Sequence, residues 1–116
     1  MLNIAVLVSG GGTNLQALLD SEARGENTNG RITLVVASKP GVYALERAAK
    51  AGVEGCVVRR KDYADSAAFD AALLKTLQEH HIDLVVLAGF LSVLGPSVIE
   101  AYPRRILNVH PALIPS

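Results

Sequence analysis

The stretch Leu2-Asn3-Ile4-Ala5-Val6-Leu7-Val8-Ser9-Gly10-Gly11-Gly12-Thr13-Asn14-Leu15-Gln16 decides the fold. Leu2 to Ser9 is mostly apolar and rich in Ile and Val, as a strand buried on both faces of a parallel sheet must be. Three glycines stop that strand. Thr13 then stands three residues ahead of Gln16, the spacing of a helix capping box. Leu15, Leu18 and Leu19 recur at helical spacing, so the stretch predicts a strand, a tight glycine turn and a helix laid back on the sheet.

The same alternation repeats outward from it. The polar residues Glu22 to Gly30 predict a surface loop, Ile32 to Ala37 a second strand, Val42 to Ala51 a helix closed by Gly52, and Gly55 to Val58 a short third strand. From Asp65 to His80, Phe69, Leu73 and Leu77 give one apolar helical face, with Asp70, Lys75 and Glu79 expected to point outward. Ile82 to Ala88 predicts a fourth strand. Gly95-Pro96 opens a short helix running to about Tyr102, and Arg105 to Val109 predicts a fifth strand. Strands alternating with helices predict the α/β class: residues 1–116 as a single domain with a Rossmann-like open parallel sheet and helices on both faces.

Composition narrows the function. Half of the 116 residues are apolar and 19% are charged, enough for a core and contrary to a disordered chain. Eleven Lys plus Arg balance eleven Asp plus Glu. A net charge of zero gives no broad field for nucleic acid or an anionic membrane, so any recognition of an anion has to be local. One cysteine, Cys56, and three histidines offer neither an internal disulfide nor a zinc cluster, and a reducing, cytoplasmic setting is expected. Apolar runs such as Leu84 to Ala88 fall far short of the ~20 residues that cross a bilayer, and the amino terminus lacks a secretory pattern. The Cys56 thiol is expected to act as a small buried hydrophobe, and His80 and His81 as solvent-facing caps at a helix end.

In open sheets of this kind, ligands lie beyond the carboxyl ends of the strands, which selects Ser9 to Asn14, Gly89 to Leu94 and Asn108 to Ser116. The first loop presents backbone amides at a helix start, a setting for phosphate. A dinucleotide fingerprint is broken, because position 15 is Leu and the second strand ends in Ala37-Ser38-Lys39 without an acid for a ribose. A Walker loop is also absent, since Gly12 is followed by Thr13-Asn14. Glycines used for turn geometry alone remain the other reading of this loop. Gly89-Phe90-Leu91-Ser92-Val93-Leu94 reads either as the lining of a flat pocket or as core running into the next helix. In the third loop, strand alternation sends Asn108 and His110 to one face. A carboxamide can donate to a developing oxyanion and an imidazole can move a proton near neutral pH, a pair suited to attack on a carbonyl.

Ser9-Gly10-Gly11-Gly12-Thr13-Asn14-Leu15-Gln16, Val86-Leu87-Ala88-Gly89-Phe90 and Asn108-Val109-His110-Pro111-Ala112-Leu113-Ile114-Pro115 together resemble the phosphoribosylglycinamide formyltransferases. The resemblance implies formyl transfer from 10-formyltetrahydrofolate, a co-substrate, to the amine of glycinamide ribonucleotide in purine biosynthesis, with no metal. It implies that Gly11, Gly12, Thr13 and Asn14 hold the substrate phosphate, and that Phe90, Leu91, Ser92, Val93 and Leu94 border the folate. It also implies that Asn108 binds the formyl donor and holds its carbonyl oxygen, and that His110 donates the proton. The family's folate-contacting arginine has no counterpart at the matching place, close to Ser66. Arg59-Arg60-Lys61 lies several residues earlier, and is expected to be a solvated loop or, less directly, to meet the folate tail. Family members continue past this motif into a catalytic aspartate and further strands, so the carboxy-terminal part of the formyltransferase fold is expected to be missing here. The neighbouring alternatives are methionyl-tRNA formyltransferase, formyltetrahydrofolate deformylase, and a non-catalytic phosphate-binding module. The glycine loop favours a ribonucleotide substrate over the first two, and a first strand beginning at Leu2 leaves no room for the deformylase's amino-terminal regulatory domain.

Overall fold

The computed structural model describes residues 2–25, 30–90 and 94–109. Five parallel strands, β1 (Leu2–Val8), β2 (Gly30–Ala37), β3 (Glu54–Val57), β4 (Leu84–Ala88) and β5 (Ile106–Val109), stand in the order β3-β2-β1-β4-β5. The winding reverses between β1 and β4, which places the switch point beside the glycine loop. Helices α1 (Thr13–Ala23), α2 (Tyr43–Lys50), α3 (Ser66–Glu79) and α4 (Pro96–Ala101) make the crossovers, with a single 3-10 turn over Arg60–Asp62.

The three central strands β2, β1 and β4 split their side chains between two cores. Val6, Val8, Val35 and Val86 pack with Leu15 and Leu19 of α1 and with Ala44 and Ala48 of α2. Ala5, Leu7, Leu34, Val36 and Val85 pack with Phe69, Leu73 and Leu77 of α3 and with Val98 of α4. The expected two-faced sandwich is therefore present, with α1 and α2 on one face and α3 and α4 on the other. The register slips once, between Ile4 and Ala5, where β2 carries Thr33 as an extra residue.

Two expectations about α3 and β4 fail. β4 begins at Leu84 rather than Ile82, because the Ile82 amide donates to the Leu77 carbonyl and the His81 amide to that of Gln78. Residues 81 and 82 thus complete the α3 carboxyl cap, with His81 taking the positive φ of 55° that glycine usually supplies. Asp70 does not point outward: it is 2% exposed and packs against α4. The helical stripe located the core face of α3 correctly, but a second helix crosses over the flank that carries Asp70. Lys75 and Glu79 are exposed as expected.

Candidate active site

The carboxyl ends of all five strands form one rim. Leu7 pairs with Leu87 and Leu87 pairs with Asn108, so Asn108 stands two strand intervals from the end of β1, roughly 10 Å at the ordinary spacing. Asn108 is exposed and sits on the β5 strand next to Val109. Cβ alternation gives it the same sheet face as Ile106, which packs into the α3 side. His110, Leu91, Ser92 and Val93 lie outside the described residues.

The glycine loop reaches the rim differently from the capping box expected. Gly12, not Thr13, is the residue before the helix; it has φ 83° and ψ 34°, and no side chain caps α1. Thr13 is the first helical residue. The Gln16 amide makes the first intrahelical bond, to the Gly12 carbonyl at 2.8 Å, so the amides of Thr13, Asn14 and Leu15 have no intrahelical acceptor. The Gln16 carboxamide turns away from the helix start and donates to Asp20. The cause is tertiary: a Cβ on Gly12 would stand 2.7 Å from the Ala44 Cβ, so the close approach of α2 demands glycine there. Gly10 and Gly11 have no such constraint, with nothing within 4 Å of a built Cβ.

Arg47 of α2 escaped the sequence reading. Its Nε donates to the Gly11 carbonyl at 2.8 Å and its Nη1 to the Gln16 carboxamide oxygen at 3.0 Å, while the guanidinium lies 4.7 Å from the Tyr43 ring centroid. A cation is thus clamped against the loop, holding one carbonyl back and leaving the amides of the helix start for an anion. The only signal in the sequence was a basic residue in the last turn of α2, which helix electrostatics alone explains.

Phe90 and Leu94 bracket the second loop, and both are partly buried against the α3-side core. Both ends of that loop therefore touch the core while keeping part of their surface exposed. Asp70 fixes the far end: Oδ1 accepts from the Gly95 amide at 2.8 Å and Oδ2 from Ser97 at 2.8 Å, with Val98 at 3.4 Å. Gly95 must be glycine for this approach, since a Cβ would meet the Asp70 carboxyl at 2.7 Å.

Cys56 and His80 stay outside this rim's chemistry. Burial first, and the nearby Glu54 second, push the Cys56 thiol above its ordinary range, which suppresses the thiolate a nucleophile would need. His80 does more than face solvent. Its Nδ1 lies 2.8 Å from the Thr76 carbonyl and its Nε2 2.9 Å from Glu54, joining α3 to β3. No group of three or more His, Cys, Asp or Glu side chains among the described residues is arranged to hold a metal ion, and no described helix is long and apolar enough to cross a membrane.

A parallel sheet with helices on both faces, an uncapped helix start at its switch point and an exposed carboxamide on the same rim defines a Rossmann-like α/β protein. The chain belongs to the formyl transferase family, matched over residues 2–116. It is similar to the crystal structure of glycinamide ribonucleotide transformylase 1 from Symbiobacterium toebii, with a TM-score of 0.90 and 44% identity over 100% of this chain and 54% of that one. It is 38% identical over 115 residues to the phosphoribosylglycinamide formyltransferase of Haemophilus influenzae, covering 99% of this chain and 54% of the relative. It is also 41% identical over 113 residues to the human trifunctional purine biosynthetic protein adenosine-3, covering 97% of this chain and 11% of that protein. The chain therefore spans about half the length of the bacterial relatives.

Proposed function

We propose that this chain carries the ribonucleotide-binding half of a cytoplasmic enzyme that transfers a formyl group from 10-formyltetrahydrofolate to the amine of glycinamide ribonucleotide, in purine biosynthesis. The observation that supports it is the juxtaposition on one rim of an uncapped α1 start and Asn108, two strand intervals apart. The names of the relatives supply the acceptor and the formyl group, and the family resemblance supplies the folate donor.

In this reading Gly11, Gly12, Thr13 and Asn14 hold the phosphate, helped by the positive end of α1. Phe90, Leu91, Ser92, Val93 and Leu94 flank the folate ring. The glycinamide nitrogen attacks the formyl carbon, and the electron pair of the C=O bond moves onto oxygen, where the Asn108 amide and a protonated His110 donate to it. Collapse breaks the bond to the folate N10, which leaves with a proton from His110, and the proton lost by the attacking nitrogen restores the imidazolium. No covalent enzyme intermediate and no metal enter the scheme.

Losing one oxyanion donor costs about 10²–10³ in turnover. Asn108→Ala and His110→Ala in the full-length protein should each fall at least that far with the ribonucleotide affinity retained, and near-normal turnover in either variant would overturn the scheme. Supplying glycinamide ribonucleotide, initiator tRNA and water as competing acceptors separates this enzyme from its relatives: the ribonucleotide should be the acceptor that is formylated.

A further inference from the structure

We propose that Asp70 of α3 is a positioning residue for the formyl donor: it fastens to α3 both the chain that leaves β4 and the α4 connection into β5. The inference rests on the reading above, in which Phe90 and Leu94 flank the folate ring and Asn108 holds the formyl oxygen.

Asp70 is the one buried charged side chain among the described residues. A carboxylate taken out of water is costly unless it is hydrogen-bonded, and its described partners are all backbone amides: Oδ1 accepts from Gly95, and Oδ2 from Ser97 and Val98. The Ser97 and Val98 amides are the second and third of α4, the two that a local capping side chain ordinarily takes. Gly95 even has the extended conformation of a capping residue, with φ −93° and ψ −179°. Position 95 nevertheless has no side chain, a Cβ there would stand 2.7 Å from the Asp70 carboxyl, and the acceptor comes from 25 positions earlier in the chain. A local cap stabilises a helix start wherever the helix lies. A carboxylate borrowed from α3 also sets where it lies.

What Asp70 fastens adjoins the donor side of the site. α3 begins after β3 and α4 after β4, so both starts stand at the carboxyl rim. The chain leaving β4 turns at Gly89, with φ 74°, and is pinned at Gly95. Inside those two anchors Phe90 and Leu94 pack on the cluster of Phe69 and Leu73, neighbours of Asp70 on α3. Beyond α4 the Tyr102 carbonyl accepts from the Arg105 amide, and the chain enters β5 and reaches Asn108. Because β4 stands between β1 and β5, this pinned segment leaves the rim between the glycine loop and Asn108. The glycine loop itself is held from the other face of the sheet, by Ala44 and Arg47 of α2. Loosening Asp70 therefore moves the donor side and leaves the phosphate cradle in place.

Steady-state kinetics of the full-length protein and its Asp70→Asn variant, at saturating ribonucleotide, test this. A displacement of about 1 Å at a reacting centre costs up to about 10²-fold, so kcat/KM for 10-formyltetrahydrofolate should fall at least about tenfold while the Kd for glycinamide ribonucleotide stays within about twofold of the parent. The double variant Asp70→Ala, Gly95→Ser gives α4 a cap of its own in the space that the carboxyl vacates. Its urea midpoint should rise above that of Asp70→Ala, while its donor kcat/KM should stay as low as in Asp70→Ala. A parental donor kcat/KM in Asp70→Asn, an equal loss of ribonucleotide affinity, or a donor kcat/KM restored together with the midpoint in the double variant would each overturn the proposal. Any of those three results alongside formyl transfer by the parent leaves the proposed function standing. A parent that formylates no ribonucleotide overturns that function, and this inference with it.

Discussion

Two helices start on neighbouring stretches of the same rim, after the adjacent strands β1 and β4, and they treat their free amides in opposite ways. α4 is closed by the protein itself, since the buried carboxylate of Asp70 reaches over from α3 and accepts from three successive described amide donors, those of Gly95, Ser97 and Val98. α1 is left open: Gly12 has no side chain to cap with, and Arg47 holds the loop by a carbonyl rather than by an amide. α3 also has its own cap, with Asp65 accepting from Ala68, and α2 carries Glu46 in its first turn. α1 has neither a capping side chain nor an acid in its first turn. The other three described helix starts are closed by a carboxylate or carry an acid, and the α1 start is the one left open to an anion.

The largest expected effect breaks the open side. Gly12→Ala forces a side chain into φ 83° and within 2.7 Å of Ala44, combining left-handed strain with overpacking. It should cost about 2–5 kcal/mol, seen as a lower urea midpoint at an unchanged slope. Gly10→Ala and Gly11→Ala meet nothing within 4 Å and should stay within about 0.5 kcal/mol of the parent. Equal losses at all three glycines would mean that the loop is held by something other than the approach of α2.

The closed side comes next. Asp70→Ala leaves three buried or half-buried amides without their acceptor and opens space beneath Gly95, which should cost about 2–4 kcal/mol. Asp70→Asn keeps one carbonyl oxygen but turns a donor toward the amides, so it should fall between the parent and Asp70→Ala. Hydrogen exchange at Ser97 and Val98 should accelerate in both variants while that at Leu19 does not. Uniform acceleration across the chain would show that Asp70 stabilises the whole domain rather than fixing the start of α4.

These two sites also mark where the sequence could be read and where it could not. The five strands, their faces and the position of Asn108 follow from local apolar runs, because a strand buried on both sides has no other way to be written. The helix starts do not. Thr13 and Gln16 have the spacing of a capping box, but the conformation of Gly12 is set by Ala44, thirty-two positions away in the chain and in direct reach in space. Asp70 follows Phe69 on a helix whose apolar stripe points elsewhere, and only the crossing of α4 turns its polar flank into an interior. Arg47 looked like a helix-end charge until the glycine loop was folded against it. The roles of Phe90 and Leu94 were ambiguous for the same reason, since core and cleft use the same residue types, and both are packed against the cluster of Phe69 and Leu73 while staying partly exposed.

Arg47 sharpens the contrast, because its guanidinium belongs to the open side without filling it. Arg47→Met retains stem packing on Tyr43 but loses the bonds to Gly11 and Gln16 and the positive charge. Affinity for glycinamide ribonucleotide should drop about three- to tenfold, the loss of roughly one net hydrogen bond, with stability lowered by about 1 kcal/mol or less. Arg47→Lys keeps the charge but not the fork, so it should recover part of the affinity. If Arg47→Met binds the ribonucleotide as tightly as the parent, the loop's geometry does not depend on the clamp.

The smallest effect lies at the opposite rim of the sheet, where the carboxyl end of α3 is closed by His80. Its hydrogen bond to the Thr76 carbonyl first, and that to Glu54 second, raise the imidazole above its ordinary value near 6.5. A group raised on folding stabilises fully below its unfolded value, and that contribution is lost as pH climbs through the folded one. Between about pH 6 and pH 8 the parent should therefore lose stability relative to His80→Gln, by less than about 1 kcal/mol because the pair is solvent-screened. Glu54→Gln should flatten the same difference, while the ribonucleotide affinity of either variant should follow that of the parent at every pH. A shift in that affinity would mean that the two rims of the sheet are coupled, and that the α1 start is not the self-contained opening which its contrast with α4 implies.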